Sequence, residues 1–159
     1  MTIKTLSIES LRPYLKTTYD VKEFIESLQN LQKDIFQKHT TLTQSLETQI
    51  PAPLSTILKK LATEQKIHED DLTESEHFLL QLQEAITAIP SLQLTISFSP
   101  TLSLINQIND WLLLHVPEHV ILDFTTDRSI IGGAQIAFHG KYKDYSLKKE
   151  VTKLFTQNN

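Results

Sequence analysis

Apolar positions in the first 90 residues recur at intervals of three and four, which is the period of an amphipathic α-helix. The longest stripe runs from Val21 to Leu46 and predicts a helix of roughly 25 residues, which weakens at Lys38–Thr41 and can break there. The proline-rich run at Ile50–Pro53 ends this stripe, and shorter stripes follow over Leu54–Leu61 and Phe78–Ile89. The first 90 residues are therefore predicted to form a small helical bundle.

Two of these helices are predicted to begin at capping boxes. Asp20 and Thr73 are each followed three residues later by glutamate, Glu23 and Glu76. In such a box the first side chain accepts a hydrogen bond from the third helical amide, and the glutamate reaches back to the cap. The polar stretch between residues 66 and 71 is predicted to be the loop before the second box.

From Ser91 the period of the apolar positions changes to two, which predicts a strand up to Phe98. Ser99 and Pro100 suit the cap and first position of a helix that ends at Pro117. Two more alternating runs follow, and a helix ends the chain. The order strand–helix–strand–strand–helix predicts an α+β fold, divided into a helical domain over residues 1–90 and an α+β domain over residues 91–159.

The helix between Pro100 and Pro117 has a wider apolar sector than one packed face needs. Trp111, Leu113 and Leu114 extend its inner stripe sideways. We therefore predict that these three residues contact a second surface and bind a partner.

All three glycines of the chain lie between Asp127 and Leu147. Gly132 and Gly133 directly precede the strand pattern Ala134–Phe138, and adjacent glycines there predict a bulge, positive φ angles or the close approach of another backbone. Gly140 predicts a tight turn. A short return strand over residues 141–143 can follow it, and Asp144 or Ser146 is a candidate cap for the last helix.

Composition and motifs predict no catalytic, cofactor-binding or metal site. The chain has 159 residues, a formal charge of −4 and no cysteine, which disfavours nucleic-acid binding and excludes thiol chemistry. Pro117 separates His115 from His119, the acidic run Glu69–Asp71 suits a solvated turn, and no phosphate loop or nucleophile elbow is present. The apolar runs are too short to span a bilayer, so we expect a cytosolic protein that reaches a membrane only through partners.

The glycine-containing segment resembles the C-terminal signature of the F-type ATP synthase δ subunit, whose mitochondrial counterpart is the oligomycin-sensitivity-conferring protein. Arg128 departs from that signature, because the family often has proline at this entry turn. The residues that follow the signature are Asp127, Ser129, Ile130, Ile131, Gly132, Gly133, Gly140, Asp144 and Ser146.

The resemblance implies a non-catalytic connector in the peripheral stalk, without cofactors, that takes part in proton-driven ATP synthesis. It implies that the N-terminal domain binds subunit α and that the C-terminal domain binds subunit b, on the cytoplasmic face of the cell membrane. The resemblance rests on the C-terminal part, because residues 1–90 are shorter than the family's six-helix bundle.

Two alternatives remain open at this point. An unbroken helix from Asp20 past Leu46 would favour another stalk-like adaptor, similar to the V-type ATPase E subunit or an export-apparatus stator. A deep pocket at the Gly132–Gly133 turn, with His139, Tyr142 and Asp144 converging on it, would favour a small enzyme.

Overall fold

The computed structural model describes residues 8–38, 40–148 and 151–153. It contains a short 3-10 helix at Glu9–Leu11, followed by helices and a four-stranded sheet. The helices are α1 (Thr18–Lys38), α2 (Leu42–Gln49), α3 (Ala52–Glu64), α4 (Leu72–Thr87) and α5 (Leu102–His115). The strands are β1 (Ser91–Ile96), β2 (Ile121–Thr126), β3 (Ala134–Phe138) and β4 (Lys141–Asp144). Residues 148 and 151–153 are helical. The α+β fold class is confirmed.

The described chain divides into two compact units. Unit 1 contains the described residues up to Leu15 together with Tyr19–Ile89. Unit 2 contains Lys16–Thr18 and the described residues from Pro90 onward. A three-residue segment from the start of the chain thus belongs to the C-terminal unit. Whether residues 1–90 and 91–159 behave as separate domains stays a prediction.

The helices of unit 1 bury the apolar stripes that the sequence indicates. The break in the longest stripe is confirmed, because α1 ends at Lys38 and α2 begins at Leu42. Thr41 caps α2, since its side chain accepts a hydrogen bond from the Gln44 amide at 3.3 Å. The buried stripe residues of these two helices are Val21, Phe24, Leu28, Leu31, Ile35, Leu42 and Leu46.

Both predicted capping boxes are wrong. Helix α4 begins at Leu72, and its cap is Asp71, whose Oδ1 accepts hydrogen bonds from the amides of Thr73 at 2.9 Å and Glu74 at 3.1 Å. Helix α1 begins at Thr18, so Asp20 lies inside its first turn. The chain enters α1 from a backbone pairing of Thr17 with Leu122, which fixes where the helix starts.

The sheet of unit 2 has the order β2-β1-β3-β4. Strands β1 and β2 are parallel and are joined through α5, whereas β1–β3 and β3–β4 are antiparallel. Helix α5 covers one face of this sheet. The core there consists of Leu94, Leu112 and Leu122, with Leu92, Ile105, Ile108, Val116, Phe124 and Ile136 packed against it.

Three details of this unit differ from the sequence prediction. The return strand left open at residues 141–143 forms as β4, which gives the sheet a fourth strand. Strand β1 ends at Ile96, so Phe98 lies outside it and is exposed. Helix α5 begins at Leu102 with Thr101 as its cap, because the Thr101 hydroxyl accepts from the Leu104 amide at 3.2 Å, whereas Ser99–Pro100 precede it.

The cap of α4 gives a direct test of the corrected helix start. Asp71→Ala should lower the free energy of unfolding by about 1 kcal/mol, because two amides lose their acceptor. Thr73→Ala is the matched control and should change it by less than about 0.5 kcal/mol. Denaturant unfolding of both variants measures this, and a larger effect at Thr73 would restore the capping box.

Candidate functional site

The residues of the glycine-containing motif come from two chain segments that the fold brings together. One segment is the loop 127–133 before β3, and the other is 144–147 after β4. The Tyr145 amide donates to the Ala134 carbonyl at 2.9 Å. The Leu147 amide donates to the carbonyls of Ile131 at 3.1 Å and Gly132 at 3.3 Å. These backbone bonds extend the β3–β4 pairing up to the start of the last helical segment.

Each segment opens with the same local turn. The Asp127 Oδ1 accepts a hydrogen bond from the Ser129 amide at 2.9 Å, and the Asp144 Oδ1 accepts one from the Ser146 amide at 2.8 Å. An aspartate that bonds the amide two residues later forms an Asx turn. Hydrogen bonds from the Ser129 side chain and amide, with a smaller effect of Lys148, lower the pKa of Asp127 below its usual value.

These turns bear on two points of the sequence prediction, the turn after Asp127 and the cap of the last helix. The turn after Asp127 forms without the proline that the family often has, since the Ile130 amide donates to the Asp127 carbonyl at 3.2 Å. The prediction that Asp144 or Ser146 caps the last helix stays a prediction, because residues 149 and 150 lie outside the described residues. The Asp144 carboxylate is used in the Asx turn, and the Leu147 carbonyl accepts the bond from the Val151 amide.

At Gly132 and Gly133 the backbone conformation and the neighbouring atoms both favour residues without a side chain. Both have positive φ, +62° at Gly132 and +74° at Gly133, as the sequence predicts. A Cβ atom placed on Gly133 would lie 2.2 Å from the Tyr145 carbonyl oxygen. A Cβ on Gly132 would lie 3.0 Å from the Leu147 Cδ1. Because a backbone atom stands in the way at Gly133, no side chain fits there without moving the chain.

Gly140 has a different role in the same unit. It follows His139 in a two-residue turn between Phe138 and Lys141, and both turn residues have positive φ, 47° and 73°. That combination is the type I′ turn typical of tight hairpins. A Cβ on Gly140 would meet no atom within 4 Å, so only its conformation favours glycine.

Sequence reasoning missed Tyr145 as a member of this site. Its role is carried by the backbone, through an amide bonded to Ala134 and a carbonyl packed against Gly133. A tyrosine in the sequence gives no sign of such a role. Of the motif isoleucines, Ile130 is buried and Ile131 is exposed.

The residues predicted to bind a partner lie on the last turns of α5 and take no part in the bonds between the motif segments. Trp111 is 55% exposed and Leu114 is 81% exposed, whereas Leu113 is half-buried. The His115 ring stacks on the Trp111 ring with centroids 4.6 Å apart and planes 14° apart. The His115 Nδ1 also lies 2.8 Å from the Trp111 carbonyl oxygen, so the pair is held in one arrangement.

The other polar candidates are separated by the fold. His115 is exposed and His119 is buried, and no three metal-ligating side chains converge within the described residues. His139 lies 3.4 Å from the Glu118 carboxylate, and Asp144 accepts from Ser146 and from the Gln135 amide group at 3.4 Å. None of the helices in the described ranges has the length and apolarity that crossing a bilayer requires.

The helical unit, the small α+β unit and the exposed aromatic end of α5 are typical of a protein-binding subunit. The family described as ATP synthase delta (OSCP) subunit matches residues 6–157, and the chain belongs to this family. No curated protein matches the sequence at a significant level.

The family is the peripheral-stalk subunit of F-type ATP synthase, and it is structural rather than catalytic. It sits in the stalk with the α and b subunits. The resemblance carried by Asp127–Ser146 is thereby confirmed, and the match extends to the helical part. The alternatives, a V-type or export-apparatus adaptor and a small enzyme, are not supported. Because α1 ends at Lys38 and α2 begins at Leu42, the chain does not form the long unbroken helix that would favour the adaptor.

The contact at Gly133 makes a testable prediction. Gly133→Ala should lower the free energy of unfolding by about 3 kcal/mol or more, because the variant combines an unfavourable φ with a clash against the Tyr145 carbonyl. Gly140→Ala is the matched control, with a similar φ and open space, and should lower it by about 1 kcal/mol. Equal losses in thermal or denaturant unfolding would contradict the close approach.

Proposed function

We propose that unit 2 binds the C-terminal segment of subunit b and that unit 1 binds the N-terminal helices of subunit α. Family membership supports the choice of partners. The observation that carries the proposal for unit 2 is the pair of exposed side chains Trp111 and Leu114 at the end of α5. A subunit of this kind needs affinity and stiffness, and both can come from apolar anchors without any reactive group.

Trp111 is suited to act as the anchor. Tryptophan contributes a large contact area and is enriched among the residues that dominate binding free energy. The stacked His115 ring and its contact with the Trp111 carbonyl hold the indole before a partner arrives. A side chain that is already ordered loses less conformational entropy on binding. The fitting occupant is the apolar face of an amphipathic helix.

Exposed lysine residues of unit 2 fit a partner helix with acidic flanks. Lys143 pairs with Ile136 across the β3–β4 ladder, and Ile136 packs against the core under α5. Residues paired directly across a ladder share a face, so Lys143 and Lys141 lie on the sheet face that α5 covers. Both are exposed, as are Lys148 and Lys153. Exposed charges of this kind mainly accelerate the encounter and set orientation.

Unit 1 has an apolar depression with an acidic rim. A cavity of about 190 Å³ lies between the start of α1 and the Ile50–Leu54 stretch. Asp20 and Glu23 stand at its border, and the Tyr19 hydroxyl bonds to the Glu23 carboxylate. The apolar residues that line it are Tyr14, Leu15, Phe24, Ile50, Pro51 and Leu54. This chemistry suits a helix of subunit α that has basic residues beside its apolar face.

The same proposal covers activity and location. The chain turns over no substrate and binds no cofactor or nucleic acid, and it is held at the cytoplasmic face of the cell membrane by its partners. The structural role of the family supports this, as does a sequence without a phosphate loop.

Substitutions in the full chain test the role of α5. Trp111→Ala should weaken binding to subunit b by about tenfold or more, since it removes a central anchor. Lys148→Ala should weaken it by less than about threefold, and added salt should lower affinity only modestly. Calorimetric titration against the C-terminal segment of subunit b from the same organism measures all three.

Leu102→Ala is the matched control, because Leu102 is 79% exposed and lies about two and a half turns before Trp111 on the same helix. It should bind like the parent. A loss at Leu102 or Lys148 equal to the loss at Trp111 would show that α5 has no specific anchor. Unchanged binding by Trp111→Ala would place the subunit b site elsewhere on the chain.

A further inference from the structure

The sheet of unit 2 has two edges, and they are protected in different ways. At β4 all four residues are exposed, and two of them are lysines, which discourage pairing with another strand. At β2 the first two residues of the edge strand are apolar and buried, with Ile121 at 6% and Leu122 at 0% exposure, whereas Thr125 and Thr126 at its other end are exposed. Outer backbone groups beside buried apolar residues, as at Ile121 and Leu122, need a hydrogen-bonding cover.

Lys16–Thr18 supplies that cover. Thr17 pairs with Leu122 in a parallel bridge, and the Leu122 amide donates to the Lys16 carbonyl at 2.7 Å. Threonine favours extended pairing because it is β-branched. The segment therefore acts as a short outer strand, although more than a hundred residues separate it from β2.

Two side chains add specificity to this pairing. The Lys16 ammonium donates to the Asn106 Oδ1 on α5 at 2.7 Å. The Thr18 hydroxyl donates to the Asp123 Oδ1 on β2 at 3.3 Å. The segment is thus bonded to the strand and to the helix that covers the sheet. A register shift by one residue would break the bonds made by Lys16 and Thr18 together.

We infer that the outer edge of β2, together with Asn106, is a binding site for an extended peptide, occupied in cis by Lys16–Thr18. Unit 2 is incomplete without this segment, so its boundary is not residue 91. The chain consequently passes between the units three times, after Leu15, after Thr18 and after Ile89. This inference concerns unit 2 alone and holds whichever partner the unit binds.

Hydrogen exchange in the full chain tests the site. Lys16→Gly, Thr17→Ser and Thr18→Gly, introduced together, should accelerate exchange of the Leu122 amide at least about tenfold more than that of Leu94 on the central strand. The ratio separates local opening from a general loss of stability, which would accelerate both amides alike. An unchanged ratio would overturn the inference.

Single substitutions keep the test informative if the triple variant does not fold. Lys16→Ala and Asn106→Ala should be non-additive, with a coupling of roughly threefold or more in the unfolding equilibrium constant. Lys22→Ala combined with Asn106→Ala is the matched control and should be additive. Additive effects for Lys16 with Asn106 would show that the segment is not held at this site.

Discussion

The C-terminal unit depends on the close approach of two backbones at Gly133. The Tyr145 carbonyl occupies the space that any other residue would need for its Cβ. This approach lets the Tyr145 and Leu147 amides bond across to the segment before β3. One Asx turn at the start of each segment sets the direction of the chain there. The motif of small and polar residues thus holds two chain segments together, directly before the last helical segment begins.

A close contact of this kind between two chain segments suits a stalk subunit, which transmits force and performs no chemistry. Unit 2 combines the backbone contact at Gly133 with the core under α5, and the exposed aromatic pair Trp111–His115 lies on the helix that packs on that core. Binding through ordered apolar side chains on a stiff support limits the entropy lost when the partner docks. The residues of the glycine-containing motif and the residues proposed to bind a partner therefore have different roles within unit 2.

The period of the apolar residues predicted the helices, the strands and the break near Thr41, because several residues of each element must be apolar for one face to be buried. The glycines predicted positive φ for the same reason that they are required. Helix caps were wrong at Asp20 and Thr73, since a cap depends on one hydrogen bond and several nearby residues can accept it. Neither Lys16–Thr18 nor Tyr145 could be found, because both act through backbone pairing with distant residues.

As a peripheral-stalk subunit, this chain should join the head and stator of an F-type ATP synthase without catalysing a reaction. The decisive measurement is proton-driven ATP synthesis by vesicles whose enzyme lacks this subunit. Adding the purified chain should restore synthesis, while the chain alone should neither bind nor hydrolyse ATP. Failure to restore synthesis when the chain is properly folded, or ATP turnover by the chain itself, would contradict the claim.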